Sequence, residues 1–294
     1  MRGAEEFCRL LELEEDIIRD IAELEGKVCR ELGDKILLLA REALAEGITN
    51  ERFIDLLKTS EDCGAAIGEH KYRMQMIFAY YCFSLMEEKY ERAGISHDVY
   101  LETIKDFRFR VYECREVYHF NGIFVAWWYY FICNLSIHKI DELEFERTVA
   151  EFDYDGKGVT VRKGEPIIAI HIPPKFRMNR ATVTKAIKES YKYYGFSGKV
   201  AYQCESWLLY PDFENVFVVG GNVMEFRSFF DVIGSTDQES FENCWRVFKV
   251  GEIDSLDTLP TDTRLQRNML KHLREGKKTG DGFGVLVFDG ERIL

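Results

Sequence analysis

The tripeptide Cys204-Glu205-Ser206 sets a thiol, a carboxylate and a hydroxyl side by side near the start of Tyr202 to Phe226, the densest apolar stretch of the second half. A thiol or hydroxyl beside a base can become a covalent nucleophile, and a carboxylate beside an aromatic residue such as Trp207 can become a general base if burial raises its pKa. The alternation from Tyr202 to Trp207, turning fully apolar at Leu208-Leu209, predicts a strand entering a core. Neighbouring strand residues point to opposite faces, so Cys204 and Ser206 share a side and Glu205 takes the other. The flanks lack the Gly-x-Ser-x-Gly elbow of the hydrolases.

Two further positions invite a ligand. After Pro211-Asp212, the run Val216 to Val219 ends at Gly220-Gly221-Asn222, where a helix is expected to begin. Backbone N–H groups at a helix start favour an anion, which makes the turn a candidate phosphate cradle; the competing reading is a tight turn with Asn222 as helix cap. His171 ends a strand, Pro166 to Ile172, that Pro173-Pro174 stops. It would emerge at a sheet edge as a base, or be a histidine hydrogen-bonded in the core. His70, His97, His119, His138 and His272 show no metal-ligand spacing.

A helix is expected from Thr263, which with Gln266 satisfies the capping-box spacing. On it Arg264, Arg267, Lys271, Arg274 and Lys278 fall on one stripe, across from Leu265, Met269 and Leu273. The stripe runs into the glycine-rich Gly276 to Gly284 and would suit a phosphorylated cofactor; the alternative is a solvated face followed by a flexible turn.

The elements that must hold these residues emerge from composition and periodicity. A chain of 294 residues is long for one core, and 46% hydrophobic with 14% aromatic residues is ample for burial. A net charge of −12 works against general nucleic-acid binding, which needs clustered cations, and leaves room for a local basic patch that binds a small anion. The 8 cysteines lack CxxC spacing and read as reduced thiols, and the N-terminus MRGAEEF has acids where an export signal would be basic and then apolar, so a cytoplasmic protein is expected. Gly122 to Cys133 is the most apolar stretch but falls short of the roughly 20 residues that span a bilayer, which predicts a buried helix and no membrane.

The first half reads as helices. One amphipathic helix is expected from Phe7 to about Gly33, one over Lys35 to Glu46, one capped by Asn50, one from about Glu69 to Ala93, and one from Ser96 towards Tyr118. After Cys133 the pattern turns to strands. Leu143 to Val149 and Val159 to Ile172 should form a hairpin around the turn Asp153 to Gly158. A helix is expected next from about Asn179 to Tyr194, then the Tyr202 strand, a strand over Trp245 to Val250 and a last one over Phe283 to Phe288. The expected fold is α+β, with an all-helical domain over 1–138 and a mixed α/β domain over 139–294.

Taken together, His171-Ile172-Pro173, Ser206-Trp207-Leu208-Leu209, Asn222 with Phe226, Thr263-Arg264-Leu265-Gln266-Arg267 and the closing Gly276 to Gly284 resemble the bacterial acyltransferase-domain proteins. These join a helical N-terminal domain to a GNAT-like C-terminal domain with a central, mostly antiparallel sheet. Where the family pattern has Ser-Asn-Ile, this chain has Gly221-Asn222-Val223. The resemblance implies transfer of an acyl group from acyl-coenzyme A, as co-substrate, to a small-molecule amine. It also implies a pyrophosphate on a loop between a central strand and a helix, pantetheine between splayed strands, and a carboxylate or water-linked base. A tyrosine or serine would protonate the leaving thiolate.

On this footing His171, Glu205 and Ser206 are the expected catalytic groups, and Gly220, Gly221, Asn222 and Arg267 the expected coenzyme A anchor. Gly280, Gly282 and Gly284 come after a helix and precede a strand, so they do not match the family's glycine loop in order. The phosphate loop is therefore expected at Tyr210 to Asn215 or Gly220 to Asn222. A module of this fold that binds ligand without chemistry is the alternative, and a Cys204 or Ser206 hydrolase a third.

Overall fold

Apolar residues spaced three and four apart fold as helices through the first part of the chain, in shorter pieces than periodicity alone predicts. The computed structural model describes residues 2–174, 176 and 178–294, and the chain divides into two units, 1–138 and 139–294. The stripe from Phe7 to Val28 is two helices, α1 (Ala4–Leu10) and α2 (Glu15–Leu32), because Glu12 adopts a φ of 58° between them. Next in the chain are α3 (Lys35–Ala43) and α4 (Asn50–Ala66). The cap of α4 is Thr49 rather than Asn50, its hydroxyl accepting from the Arg52 N–H at 3.2 Å.

The run from Glu69 to Ala93 breaks at Met86 into α5 (Lys71–Leu85) and α6 (Glu87–Arg92), and the run from Ser96 breaks at Lys105 into α7 (His97–Ile104) and α8 (Asp106–Tyr118). The apolar stretch before Cys133 gives only a 3-10 turn, Ala126–Trp128, and the short α9 (Tyr129–Cys133). Helix α5 is buried on every side from Met74 to Ser84, so it is the axis of this unit, against which α1, α2, α3, α4, α8 and α9 pack.

Strands dominate the rest of the chain. They are β1 (Ile137–Ile140), β2 (Leu143–Val149), β3 (Tyr154–Gly156), β4 (Val159–Val161), β5 (Pro166–His171), β6 (Val200–Ser206), β7 (Asp231–Gln238) and β8 (Thr279–Phe288). Helix α10 (Arg180–Tyr193) lies between β5 and β6; α11 (Asn222–Arg227), α12 (Cys244–Phe248) and α13 (Arg264–Arg274) lie between β6 and β8. The main sheet has the order β1-β2-β5-β6-β8-β7, and β3 pairs with β4 apart from it. The pairs β2–β5, β6–β8 and β7–β8 are antiparallel, while β5–β6 is parallel. The fold is α+β, with a helical first part and a mostly antiparallel mixed sheet in the second.

Several expectations are corrected by packing. The expected hairpin forms between β2 and β5, from Glu144↔His171 to Val149↔Pro166, but its connecting residues make a hairpin of their own, β3–β4. Residues Trp245 to Val250 are not a strand. Cys244, Val247 and Phe248 are buried at helical spacing in α12, and so short an apolar run fits either period. Strand β7 has no counterpart among the expected strands because DVIGSTDQ is an exposed edge strand with no apolar alternation. Strand β6 ends at Ser206, and Trp207–Leu209 turn into a 3-10 helix across β8.

Close approach explains the later glycines of the cluster: Gly276 is in the turn after α13, but Gly280, Gly282 and Gly284 lie inside β8 and are strand rather than flexible turn. A Cβ on Gly282 would sit 2.2 Å from the Leu209 carbonyl oxygen, and one on Gly280 would sit 2.1 Å from that of Thr236. The backbones approach too closely for any side chain.

Candidate functional site

The parallel strands β5 and β6 pair at only two positions, Ile168↔Tyr202 and Ala169↔Gln203. Beyond them β5 continues to His171 and β6 to Ser206, while β6 keeps its ladder with β8 through Ser206↔Gly282. The two strands therefore part at their C-terminal ends, and the facing backbone edges there are no longer paired to each other. Such an edge can hydrogen-bond an extended amide-bearing ligand. Helix α10 comes next in the chain after β5, and its start is fixed by Asn179, whose side-chain oxygen accepts from the Thr182 N–H at 3.0 Å.

The pairing also fixes which side chains share a face. Ala169 and Gln203 are partners, so His171 and Glu205, each two residues further on, project from the same face at the mouth of the gap. Glu146, the partner of Ala169 on β2, lies on that face too and meets the His171 Nε2 at 2.8 Å. The contact orients the imidazole and places the Nε2 proton towards the carboxylate.

Glu205 is exposed at its tip, and its carboxyl is raised above the ordinary carboxylate range, chiefly by desolvation against the sheet and then by the charges of Asp281 and Glu151. Asp281 stands diagonally across from it on β8, two residues from Phe283, the direct partner of Glu205. Its carboxyl is raised by burial and by Glu242, with Arg246 pulling the other way, and it accepts from the Gln238 side-chain amide at 2.6 Å.

Ser206 and Cys204 occupy the opposite face. The Ser206 hydroxyl accepts from the Leu208 N–H at 3.2 Å and so starts the 3-10 turn. Cys204 is buried, and burial pushes its thiol up, away from the thiolate that a nucleophile requires.

The residues expected to anchor a cofactor are placed differently from one another. At Gly220-Gly221-Asn222 the helix cap is Gly221 rather than Asn222, and the Gly221 N–H already donates to the Val218 carbonyl at 2.9 Å. Helix α11, which starts there, has 6 residues and so a weak dipole. Its Glu225 reaches the first turn of α10, accepting from the Arg180 N–H at 3.3 Å and facing the Arg180 guanidinium at 3.5 Å.

Arg267 donates to the Thr261 and Asp262 carbonyls at 2.7 and 2.8 Å. Along the rest of the stripe Lys271 faces Glu275 at 3.8 Å, Arg274 faces Asp257 at 2.9 Å, and Lys278 pairs with Asp237. Lys271, Arg274 and Lys278 of the stripe therefore face the chain's own acids. The capping box of α13 is complete, with Thr263 and Gln266 each satisfying the other's backbone.

Known proteins share this fold. Residues 137–286 match the GNAT-like C-terminal domain, and residues 3–134 match the N-acyltransferase N-terminal domain. The chain belongs to this two-domain acyltransferase family. No curated protein matches the chain in sequence. Among solved structures, an acyltransferase in complex with decanoyl-CoA superposes with a TM-score of 0.60 at 17% identity, covering 97% of this chain and 99% of that one. An acyltransferase in complex with decanoyl-CoA and teicoplanin gives 0.59 at 18% identity with the same coverage, and an acyltransferase mutant in complex with octanoyl-CoA gives 0.57 at 18%, again with that coverage.

Within this family member, sequence reasoning missed Glu146 and Asp281. Glu146 alternates with Phe145 and Arg147 and reads as a solvated strand position until β2 is paired with β5. Asp281 is hidden among glycines that read as a turn; a signal was available in the alternation Thr279, Asp281, Phe283, Val285, which is a strand's. Among the described residues no helix is long and apolar enough to cross a membrane, and no group of three or more His, Cys, Asp or Glu could hold a metal ion.

Proposed function

We propose that the protein transfers an acyl group from acyl-coenzyme A to a small-molecule amine, with pantetheine lying in the gap where β5 and β6 part. The parting of the strands beyond Ala169 and Gln203, with His171 and Glu205 at its mouth, is the observation that carries this reading. Membership in the family supports it, as do the similar structures, which hold decanoyl-CoA and octanoyl-CoA and, in one complex, teicoplanin.

In this reading the unpaired backbone edges of β5 and β6 hydrogen-bond the pantetheine amides and set the thioester carbonyl beside His171 and Glu205. One of these two takes a proton from the ammonium form of the amine. The nitrogen attacks the carbonyl carbon, a C–N bond forms and the C–S bond breaks. The thiolate takes the second N–H proton, while Ser206, on the opposite face with its hydroxyl accepting from the Leu208 N–H, is assigned no part in the transfer. Glu146 acts on His171 as a positioning residue.

The pyrophosphate is assigned to the start of α10, a helix of 14 residues whose dipole favours an anion, where it would take the place of the Glu225 carboxylate on the Arg180 N–H. The turn Gly220 to Asn222 flanks the same helix start through α11 and Glu225. Arg267, holding the Thr261–Asp262 loop, is assigned no phosphate. A cytoplasmic location fits the reading, because acyl-coenzyme A is made there and the described cysteines are unpaired.

The test is isothermal titration with acetyl-, octanoyl- and decanoyl-coenzyme A, followed by mass spectrometry of an amine panel incubated with each. Saturable binding with N-acyl product supports the proposal. Binding with no product from any amine would point to a ligand-binding module, and no binding at millimolar concentration would overturn both.

A further inference from the structure

Glu205 does not stand alone on its face of the sheet. The antiparallel register of β6 and β8 sets Glu205 opposite Phe283, and Asp281 is two residues along β8 on the same face. A diagonal pair of this kind has Cβ atoms about 7 Å apart, so that the longer Glu205 side chain and the short Asp281 carboxyl can bracket one small cation between them. Asp281 is held in place from the neighbouring strand, where the Gln238 amide donates to one of its oxygens at 2.6 Å. Both carboxylates lie at the end of β6 where that strand has left β5.

Resting on the transferase reading above, we propose that Asp281 is the second carboxylate of the acceptor site, and that the acceptor is an aliphatic amine that enters as its ammonium ion between Asp281 and Glu205. Two carboxylates that repel each other across a partly buried face are relieved by a cation placed between them. An ammonium donates hydrogen bonds to both and is thereby selected over a neutral nucleophile. Glu205 then takes one N–H proton and becomes neutral. The nitrogen lone pair attacks the thioester carbon, the C–S bond breaks, and the thiolate takes the second N–H proton. Ammonium plus acyl-thioester thus gives amide plus thiol, with one proton released from Glu205 to solvent.

The groups facing the pair give the direction of its pH behaviour. Glu205 is faced by Asp281 and Glu151, and Asp281 by Glu242 and Arg246 as well as Gln238. The charge of Asp281 holds the Glu205 proton on to higher pH. Neutralising Asp281 therefore lets Glu205 ionise at lower pH, and the acid limb of activity moves down.

The experiment compares wild type, Asp281→Asn and Asp281→Glu with two acceptors of equal chain length, an alkylamine and an O-alkylhydroxylamine that is uncharged at pH 7. In wild type the alkylamine is expected to have the lower KM. Asp281→Asn should raise the alkylamine KM about tenfold, an ordinary loss for one charge-assisted hydrogen bond. It should leave the hydroxylamine KM within about twofold and shift the acid limb of kcat/KM to lower pH; Asp281→Glu should restore the preference. Circular dichroism establishes that each variant is folded, and the two-acceptor comparison in wild type tests charge selection without any variant. A wild type that acylates both acceptors with equal KM, or an Asp281→Asn that keeps both the preference and the acid limb, overturns the assignment while leaving the transferase reading intact. A wild type that binds acyl-coenzyme A and acylates neither acceptor overturns both.

Discussion

His171 and Glu205 stand on one face of the sheet, each two residues beyond Ala169 and Gln203, the last residues at which β5 and β6 are paired. The two candidate bases are therefore presented from opposite sides of the same opening. Their supports differ: His171 is oriented by Glu146 at 2.8 Å, whereas the Glu205 carboxyl is raised by desolvation and by Asp281.

If His171 removes the proton, Glu146 matters through the ring's orientation. Glu146→Gln should then lower kcat by about tenfold, His171→Ala by about 10²- to 10⁴-fold, and both should leave the KM for acyl-coenzyme A within about twofold. Steady-state kinetics with saturating amine distinguishes this from a structural role, which would move both constants. An unchanged kcat in His171→Ala assigns the base to Glu205.

Glu205 makes an opposite pair of predictions for stability and activity. Its folded-state carboxyl is raised above the unfolded value, so its contribution is favourable in acid and is lost as pH rises through the folded pKa, leaving an unfavourable charge at neutral pH. Glu205→Gln should therefore raise Tm at pH 7, with the gain fading below the ordinary carboxylate range. If Glu205 is the base, the same variant should lower kcat/KM about 10²-fold or more. Calorimetry across pH and one rate measurement check both.

Gly282→Ala should destabilise the second unit by about 1–3 kcal/mol or more, because its Cβ would meet the Leu209 carbonyl oxygen at 2.2 Å and backbone must move. Gly234→Ala is the control: its nearest neighbour is a Phe283 ring atom at 3.8 Å. Urea midpoints for the two variants should differ clearly, and equal midpoints would mean that the crossing of the 3-10 turn over β8 is loose.

Arg267→Ala should leave the KM for acyl-coenzyme A within about twofold, since its guanidinium holds the Thr261 and Asp262 carbonyls. A fivefold or greater rise would restore Arg267 to the cofactor site. Thr263→Ala at the start of the same helix should cost about 1 kcal/mol, the usual worth of a cap, without altering kinetics.

Features encoded by local physics were legible in the order of residues. Apolar spacing marked helices before Cys133 and strands after it, Asn179 and the Thr263–Gln266 box fixed two helix starts, and the motif set pointed to the family. The sequence also placed Glu205 and Ser206 on opposite faces, because strand alternation is a property of consecutive residues. The tertiary structure alone decided which strands are neighbours. Pairing of β5 with β6 joined His171 to Glu205 across a gap, pairing of β2 with β5 brought Glu146 to the imidazole, and pairing of β6 with β8 turned a glycine cluster into a strand carrying Asp281. Register depends on contacts between residues tens of positions apart. No single segment carries that information, and the face of a sheet becomes a site only once its strands are in order.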